Sequence, residues 1–186
     1  MKTKKIFTAI CIILILQFAL VSTVSAHIDT NDKWSSNRVY FKPVYAGSDA
    51  NNRIREAASD WNSKVPGFTF SESSSSFHQL GPDPGGMVPY GVAAATYYWV
   101  NPNTGYIEEC DVYYSTSLSW HYGTSSPPSD KFDFLTVTKH EFGHWYSLDD
   151  CYESSHSSSL MYYHIDVGQR KSISSHDYNP ARIMYP

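Results

Sequence analysis

The first apolar pattern in the chain is a run over residues 6–21 that contains only Thr8 and Gln17 as polar residues, preceded by three lysines within the first five positions. Small residues at 24–26 follow this run. A basic start, a short apolar stretch and a small-residue exit are typical of a secretory signal peptide, here cleaved after about Ala26. The run is short for a membrane span, which needs about 20 apolar residues, although an uncleaved anchor is the alternative.

A second pattern has helical spacing. Ile54, Ala58 and Trp61 fall on one stripe, and Pro66 with Gly67 would stop a helix shortly afterwards. This pattern predicts a helix over residues 48–64 with Ser48 as its cap.

A third pattern consists of short apolar runs bounded by turn residues, which predict strands. These runs cover residues 38–44, 68–70, 92–100 and 106–114. The last two are joined by a segment rich in Asn, Pro and Gly and predict a hairpin. Residues 71–89 and 115–132 are rich in Ser, Gly and Pro and predict loops. Asp133 is a suitable cap for a further helix over residues 134–147, so the pattern indicates a single α+β domain.

Charge narrows the classes of partner. The chain has 14 basic and 18 acidic residues, and three of the lysines lie in the predicted signal peptide. Residues 27–186 therefore carry a net charge of about −7, which argues against nucleic acid and, once the signal is cleaved, membranes as partners. About 160 residues are enough for one domain with its own core.

The predicted helix over residues 134–147 contains an H-E-x-x-H string at 140–144. Histidines four apart share a helical face, so His140 and His144 could bind one Zn²⁺ at about 2.0–2.1 Å. Glu141 would then lie beside a metal-bound water and act as general base. The alternative is a pair of surface histidines on an amphipathic helix.

Downstream residues extend the motif. Asp150 falls at the third-ligand position of the longer pattern H-E-x-x-H-x-x-G-x-x-H, and Met161 follows in a short turn at 159–163. The chain resembles the metzincin zinc proteases and, within them, the matrixin branch most. Residues 176–185 also resemble the closing helix of a matrixin catalytic domain.

The resemblance covers residues 27–186 and implies an α+β fold of the metzincin type. We expect a twisted, mainly antiparallel or mixed sheet with two helices above a cleft. A small irregular part with a C-terminal helix would lie below it.

The resemblance also implies the roles of the site residues. His140, His144 and Asp150 would hold one catalytic Zn²⁺, with Asp in place of the commoner third histidine. Met161 would form a hydrophobic floor in the Met-turn. Tyr163 would ligate zinc, assist the oxyanion or line the substrate pocket.

Several positions leave alternatives open. Asp149 is one residue out of register as a third ligand, and His156 is a looser candidate. Met184 competes for the Met-turn but fits the closing helix better. Ser147 stands where the family has a glycine with positive φ, a conformation that costs serine about 1 kcal/mol.

Export to an oxidising space predicts a disulfide between Cys110 and Cys151. The alternative is that Cys151 is a thiolate ligand of zinc. Asp and Asn residues near 101–111 could bind Ca²⁺, although no recognised motif supports such a site.

These observations predict a secreted, monomeric zinc endopeptidase that cleaves proteins or peptides. An extended substrate would pair with the strand edge at residues 91–97. About ten residues separate the predicted cleavage site from the first strand, so we expect no inhibitory pro-segment. The alternatives are a non-catalytic metzincin-like domain that binds protein or surface glycans, and a zinc hydrolase of a non-peptide substrate.

Overall fold

A mixed sheet and two packed helices form the body of the protein in a computed structural model that describes residues 3–7 and 32–186. The strands are β1 (Thr3–Phe7), β2 (Lys33–Trp34), β3 (Arg38–Pro43), β4 (Thr69–Glu72), β5 (Gln79–Pro82), β6 (Ala94–Val100), β7 (Tyr106–Tyr114), β8 (Trp120–His121) and β9 (Phe132–Asp133). The helices are α1 (Ser48–Lys64), α2 (Phe134–Trp145) and α3 (Ser175–Met184), with a short 3₁₀ helix at Ser154–His156. The predicted cleavage site at Ala26 lies outside the described residues.

Seven strands form the main sheet in the order β1-β6-β7-β5-β3-β4, and β2 also pairs with β7. Neighbours pair in parallel except for β6, which is antiparallel to both β7 and β1. The strands β8 and β9 form a separate parallel pair. The α+β class is thus consistent with the structure, whose sheet is mixed and mostly parallel.

The elements follow most of the hydrophobic pattern. The predictions for α1 and for the β6–β7 hairpin are confirmed. Asp133 caps α2, as predicted, by accepting a hydrogen bond from the Thr136 amide. Ser48 is not the cap of α1, because Gly47 holds that position. The predicted loops at 71–89 and 115–132 contain the short strands β5 and β8, and α2 ends at Trp145, before the predicted residue 147.

The helix α2 lies at the centre of the core, since all 12 of its residues are buried. Tryptophan side chains connect it to its neighbours: Trp61 on α1 donates to the Lys139 carbonyl at 2.8 Å, and Trp34 donates to the Trp145 carbonyl at 2.8 Å. The core around it is rich in aromatic rings, among them Phe70 and Phe142 with centroids 4.7 Å apart. This packing takes polar side chains of α2 out of water.

One outer edge of the sheet is formed by β1, whose backbone pairs with β6 from Thr3 opposite Val100 to Phe7 opposite Thr96. These five residues belong to the predicted signal peptide. In the described part of the chain, none of the helices has both the length and the apolar character needed to cross a bilayer.

Candidate metal centre

His140 and His144 lie one turn apart on α2 with their rings nearly perpendicular, at an interplanar angle of 84°. Their Nε2 atoms are 3.2 Å apart. Each Nδ1 faces a backbone carbonyl, that of Leu160 at 2.9 Å for His140 and that of Leu148 at 2.7 Å for His144. A carbonyl accepts but cannot donate, so each Nδ1 carries the proton and each Nε2 presents a lone pair.

Asp150 completes a triangle of donor atoms with the two imidazoles. Its Oδ1 lies 3.0 Å from Nε2 of His140 and 3.9 Å from Nε2 of His144. In a tetrahedral zinc site with bonds of 2.0–2.1 Å, neighbouring ligand atoms are about 3.3 Å apart. The observed separations therefore fit three ligands of one ion.

The buried Oδ1 of Asp150 has the ring nitrogen of His140 at 3.0 Å, but makes no hydrogen bond of acceptable geometry within the described residues. A buried carboxylate oxygen without such a bond is costly, and a cation between it and the two imidazoles would remove that cost. The residues present thus fit a zinc ion. Both imidazoles form ion pairs with Asp150, while His156 lies beside Cys151.

Ser147 allows the chain to turn from α2 toward Asp150. It has a φ of 57° and is the sole non-glycine residue with positive φ in the described part of the chain. Its Oγ donates to the Asp32 carbonyl at 2.6 Å, and the Leu148 amide bonds back to Gly143 at 3.3 Å. Ser147 thus has the left-handed conformation that the resemblance predicted for this position.

Glu141 is buried next to the two histidines. One of its carboxylate oxygens lies within 4.8 Å of their ring nitrogens, and Oε2 accepts a hydrogen bond from Oγ1 of Thr96 at 2.6 Å. Burial raises the pKa of Glu141 to about 7. A carboxyl with a pKa near neutrality can both accept and release a proton, as a general base and acid requires.

The two imidazoles and Asp150 form a coupled electrostatic group. Burial lowers the pKa of His140, but Asp150 outweighs it and raises that pKa to about 9. Burial and the neighbouring His140 lower the pKa of His144 to about 4. Without metal, Nε2 of His140 therefore holds a proton in addition to the one on Nδ1, and metal binding would release it and expose the lone pair of the neutral ring.

Met161 lies directly against the helix that carries the histidines. Its side chain is fully buried, and a Cβ added to Gly143 would overlap its Sδ and lie 2.9 Å from its Cε. Glycine at this position of the H-E-x-x-H string therefore gives Met161 its space. Met184, the competing candidate for the turn, lies on α3 as expected.

Asp177 holds in place the turn at 159–163, the predicted Met-turn, and sequence reasoning did not identify it. This fully buried carboxylate on α3 accepts hydrogen bonds from the amides of Leu160 and Met161, at 3.3 and 3.1 Å, and from the Ser159 hydroxyl. It also forms a capping box with Ser174. The sequence signal was this capping pattern, Ser followed three residues later by Asp.

Thr96 was also missed. It is a buried polar residue within the apolar run of β6, which is the signal that could have identified it. Its hydrogen bond links the sheet to the carboxylate of Glu141, so it fixes where that carboxylate points.

Tyr163 is connected to Asp150 through the ring of Tyr152. Its ring stacks on that of Tyr152 with centroids 5.0 Å apart, and Tyr152 forms a side-chain hydrogen bond with Asp150. Partial burial and the charge of Asp150 raise the pKa of Tyr152 to about 12. Tyr152 is thus the tyrosine that contacts the third ligand position, and a zinc or oxyanion role for Tyr163 stays a prediction.

The predicted disulfide is wrong in this structure, where Cys110 and Cys151 are both free. Cys110 lies on β7 in the main hydrophobic core, and its amide faces Nδ1 of His78. Cys151 lies beside the Met-turn, where its Sγ is 3.9 Å from Nδ1 of His156. Each thiol therefore belongs to a different part of the fold.

The acidic and amide side chains near 101–111 bond to protein groups. Asn101 donates to Glu108 at 2.9 Å, and Asp111 accepts from the Gln79 amide at 2.7 Å. These contacts add no support to the predicted Ca²⁺ site.

A scan against known protein families and a search of curated proteins find no match to this chain. The assignment of function therefore depends on the geometry of the site.

The contact between Gly143 and Met161 predicts a specific energetic coupling. Gly143→Ala should lower the free energy of unfolding by about 1–2 kcal/mol, because the overlap with Met161 outweighs the better helix propensity of alanine. In a Met161→Ala background the same change should be neutral or stabilising. Urea unfolding of the four proteins in this cycle measures the coupling. Additive effects would show that the two residues do not meet.

The conformation of Ser147 gives a second prediction. Ser147→Gly and Ser147→Ala both lose the hydrogen bond to Asp32, but only glycine adopts positive φ without strain. The glycine variant should therefore be more stable than the alanine variant by about 1 kcal/mol in chemical denaturation. Equal stability, or a more stable alanine variant, would contradict this backbone conformation.

Proposed function

We propose that this protein is a secreted zinc endopeptidase of the metzincin type, closest in character to the matrixins, that cleaves protein or peptide substrates as a monomer. The observation that carries the proposal is the convergence of two imidazole nitrogens and one carboxylate oxygen within 3.0–3.9 Å of one another. The buried carboxylate of Glu141 beside them supplies the remaining group that hydrolysis needs.

The ligand set defines the electrostatics of the reaction. A zinc ion held by His140, His144 and Asp150 would acidify a bound water and polarise the carbonyl of the bond to be cut. The Asp150 carboxylate leaves a net site charge of about +1, rather than the +2 of three histidines, so the acidification would be weaker. The backbone carbonyls behind both imidazoles hold the Nε2 atoms toward the shared position.

Glu141 performs the proton transfers in this proposal. Its carboxylate takes a proton from the attacking water and later delivers it to the leaving amine. Thr96 occupies Oε2 with a hydrogen bond of 2.6 Å, which leaves the other oxygen to face the reacting groups. The buried surroundings strengthen each of these charge interactions.

The strand β6, which becomes an edge strand once β1 is removed, is the proposed substrate platform. In the full chain β1 pairs antiparallel with it over Thr96–Val100. Removal of the signal peptide would take β1 away and leave unpaired backbone groups along β6. An extended peptide could then form the same antiparallel ladder next to Glu141. The stacked pair of Tyr152 and Tyr163 lies on the Asp150 side of the metal position.

Replacement of Glu141 separates metal binding from catalysis. Glu141→Gln should keep the zinc content of the wild type and lower kcat/KM on a casein substrate by about 10³-fold, because the amide cannot accept the proton. Zinc is measured by mass spectrometry of the dialysed protein, and turnover by release of labelled peptides. Glu56→Gln, on the partly exposed face of α1, is the matched control and should behave as the wild type.

Two outcomes of this comparison would contradict the proposal. Equal hydrolysis by the wild type and Glu141→Gln, or none by a zinc-loaded wild type across varied proteins and peptides, would overturn the endopeptidase assignment. The second outcome would favour the non-catalytic binding domain.

A further inference from the structure

A second group of side chains that could bind a metal begins at Cys151, the residue that follows Asp150. The Sγ of Cys151 is 3.9 Å from Nδ1 of His156, and the rings of His156 and His176 have centroids 4.1 Å apart. One donor atom from each of these three residues lies within 4.8 Å of the others. The group is separate from the donors on α2.

His176 is the most informative member of this group. Both of its ring nitrogens are inaccessible to solvent, and neither has a hydrogen-bond partner within the described residues. An imidazole always has a lone pair or an N–H to satisfy, and burial without a partner costs about 1–3 kcal/mol. A metal ion between His176, His156 and Cys151 would supply the missing partner.

The donor types and distances fit zinc. Zinc–sulfur bonds of about 2.3 Å and zinc–nitrogen bonds of about 2.1 Å place sulfur and nitrogen about 3.6 Å apart in a tetrahedral site. The observed separation of 3.9 Å between Cys151 and His156 is close to this value. One thiolate and two imidazoles form a donor set that favours zinc over the harder ions Mg²⁺ and Ca²⁺.

A fourth donor is available in the same segment. An oxygen of the Glu153 carboxylate lies 3.3 Å from Nδ1 of His156, on the chain between the two other local ligands. The spacing Cys-x-Glu-x-x-His places three donors within six residues, and the 3₁₀ helix at Ser154–His156 brings His156 back toward Cys151. A closed four-ligand site of this kind is structural rather than catalytic.

The backbone around the group is already ordered by the Met-turn. The Cys151 amide donates to the Met161 carbonyl at 2.7 Å, and the Tyr163 amide donates to the Cys151 carbonyl at 3.0 Å. His176 lies in the first turn of α3, next to Asp177, whose carboxylate holds the turn that contains Met161. An ion here would therefore join the loop after Asp150 to α3.

We propose that Cys151, His156 and His176, with Glu153 as fourth ligand, bind a second, structural zinc ion that fixes the segment carrying Asp150. This zinc ion would stabilise the segment in the way that the predicted disulfide would have done. This inference does not depend on the proposed peptidase activity, because it concerns a different set of ligands.

Cobalt substitution tests the site directly. The purified protein, stripped of metal and titrated with CoCl₂, should develop a near-ultraviolet thiolate-to-cobalt charge-transfer band, since only a coordinated cysteine produces one. The band should persist in His144→Ala, which disrupts the α2 site, and disappear in Cys151→Ser. Cys110→Ala removes the other described thiol and is the matched control that should keep the band.

Zinc stoichiometry supplies the second readout and a check against unfolding. After equilibrium dialysis, the folded wild type should hold two zinc ions per chain, and His144→Ala and His176→Gln one each. Circular dichroism verifies the fold of every variant. If Cys151→Ser does not fold, the wild-type band and the His176→Gln stoichiometry still decide the question.

A folded wild type with no thiolate band, or with a band that survives Cys151→Ser, would overturn the proposal. So would an unchanged zinc content in folded His176→Gln. Because the band in His144→Ala reports this site alone, the result is independent of whether the protein cleaves peptides.

Discussion

Two hydrogen bonds from imidazole to backbone carbonyl set the geometry on which the site depends. His140 donates through Nδ1 to Leu160, and His144 donates through Nδ1 to Leu148. Both bonds fix the tautomer, so both Nε2 lone pairs point to one position. The accepting carbonyls belong to the Met-turn and to the segment that leads to Asp150. The parts of the chain that orient the histidines are thus also the parts that complete the ligand set.

The position of the Met-turn depends in its turn on a buried carboxylate. Asp177 accepts hydrogen bonds from the amides of Leu160 and Met161 and from the amide and hydroxyl of Ser174. These bonds offset the cost of burying the charge. A continuous path therefore runs from the cap of α3 through Asp177 and Leu160 to His140. Met161 packs against α2 in the space left by the glycine of the motif. Polar and apolar contacts together therefore fix the position of the turn.

Local patterns in the sequence predicted those features that depend on contacts between residues close together in the chain. Helical periodicity gave the bounds of α1, and the spacing of H-E-x-x-H placed two imidazoles on one helical face. The third position was also accessible, since a fixed register from the helix leads to Asp150. The short strand β5 was missed because it lies in a polar segment and forms only by pairing with β3 and β7. The pairing of Cys110 with Cys151 was wrong because cysteine number and compartment do not determine where side chains lie. Asp177 and Thr96 each leave a local signal, a capping pattern and a polar residue in an apolar run, but their partners near the site are long-range contacts that no local pattern reports.

Anomalous diffraction at the zinc edge from crystals of the zinc-loaded protein would locate the ion in the proposed α2 site. We expect an anomalous peak at bonding distance, about 2.0–2.2 Å, from Nε2 of His140, Nε2 of His144 and a carboxylate oxygen of Asp150. A zinc-saturated crystal without a peak there, or a peak coordinated by the histidines while Asp150 points away, would contradict this proposal.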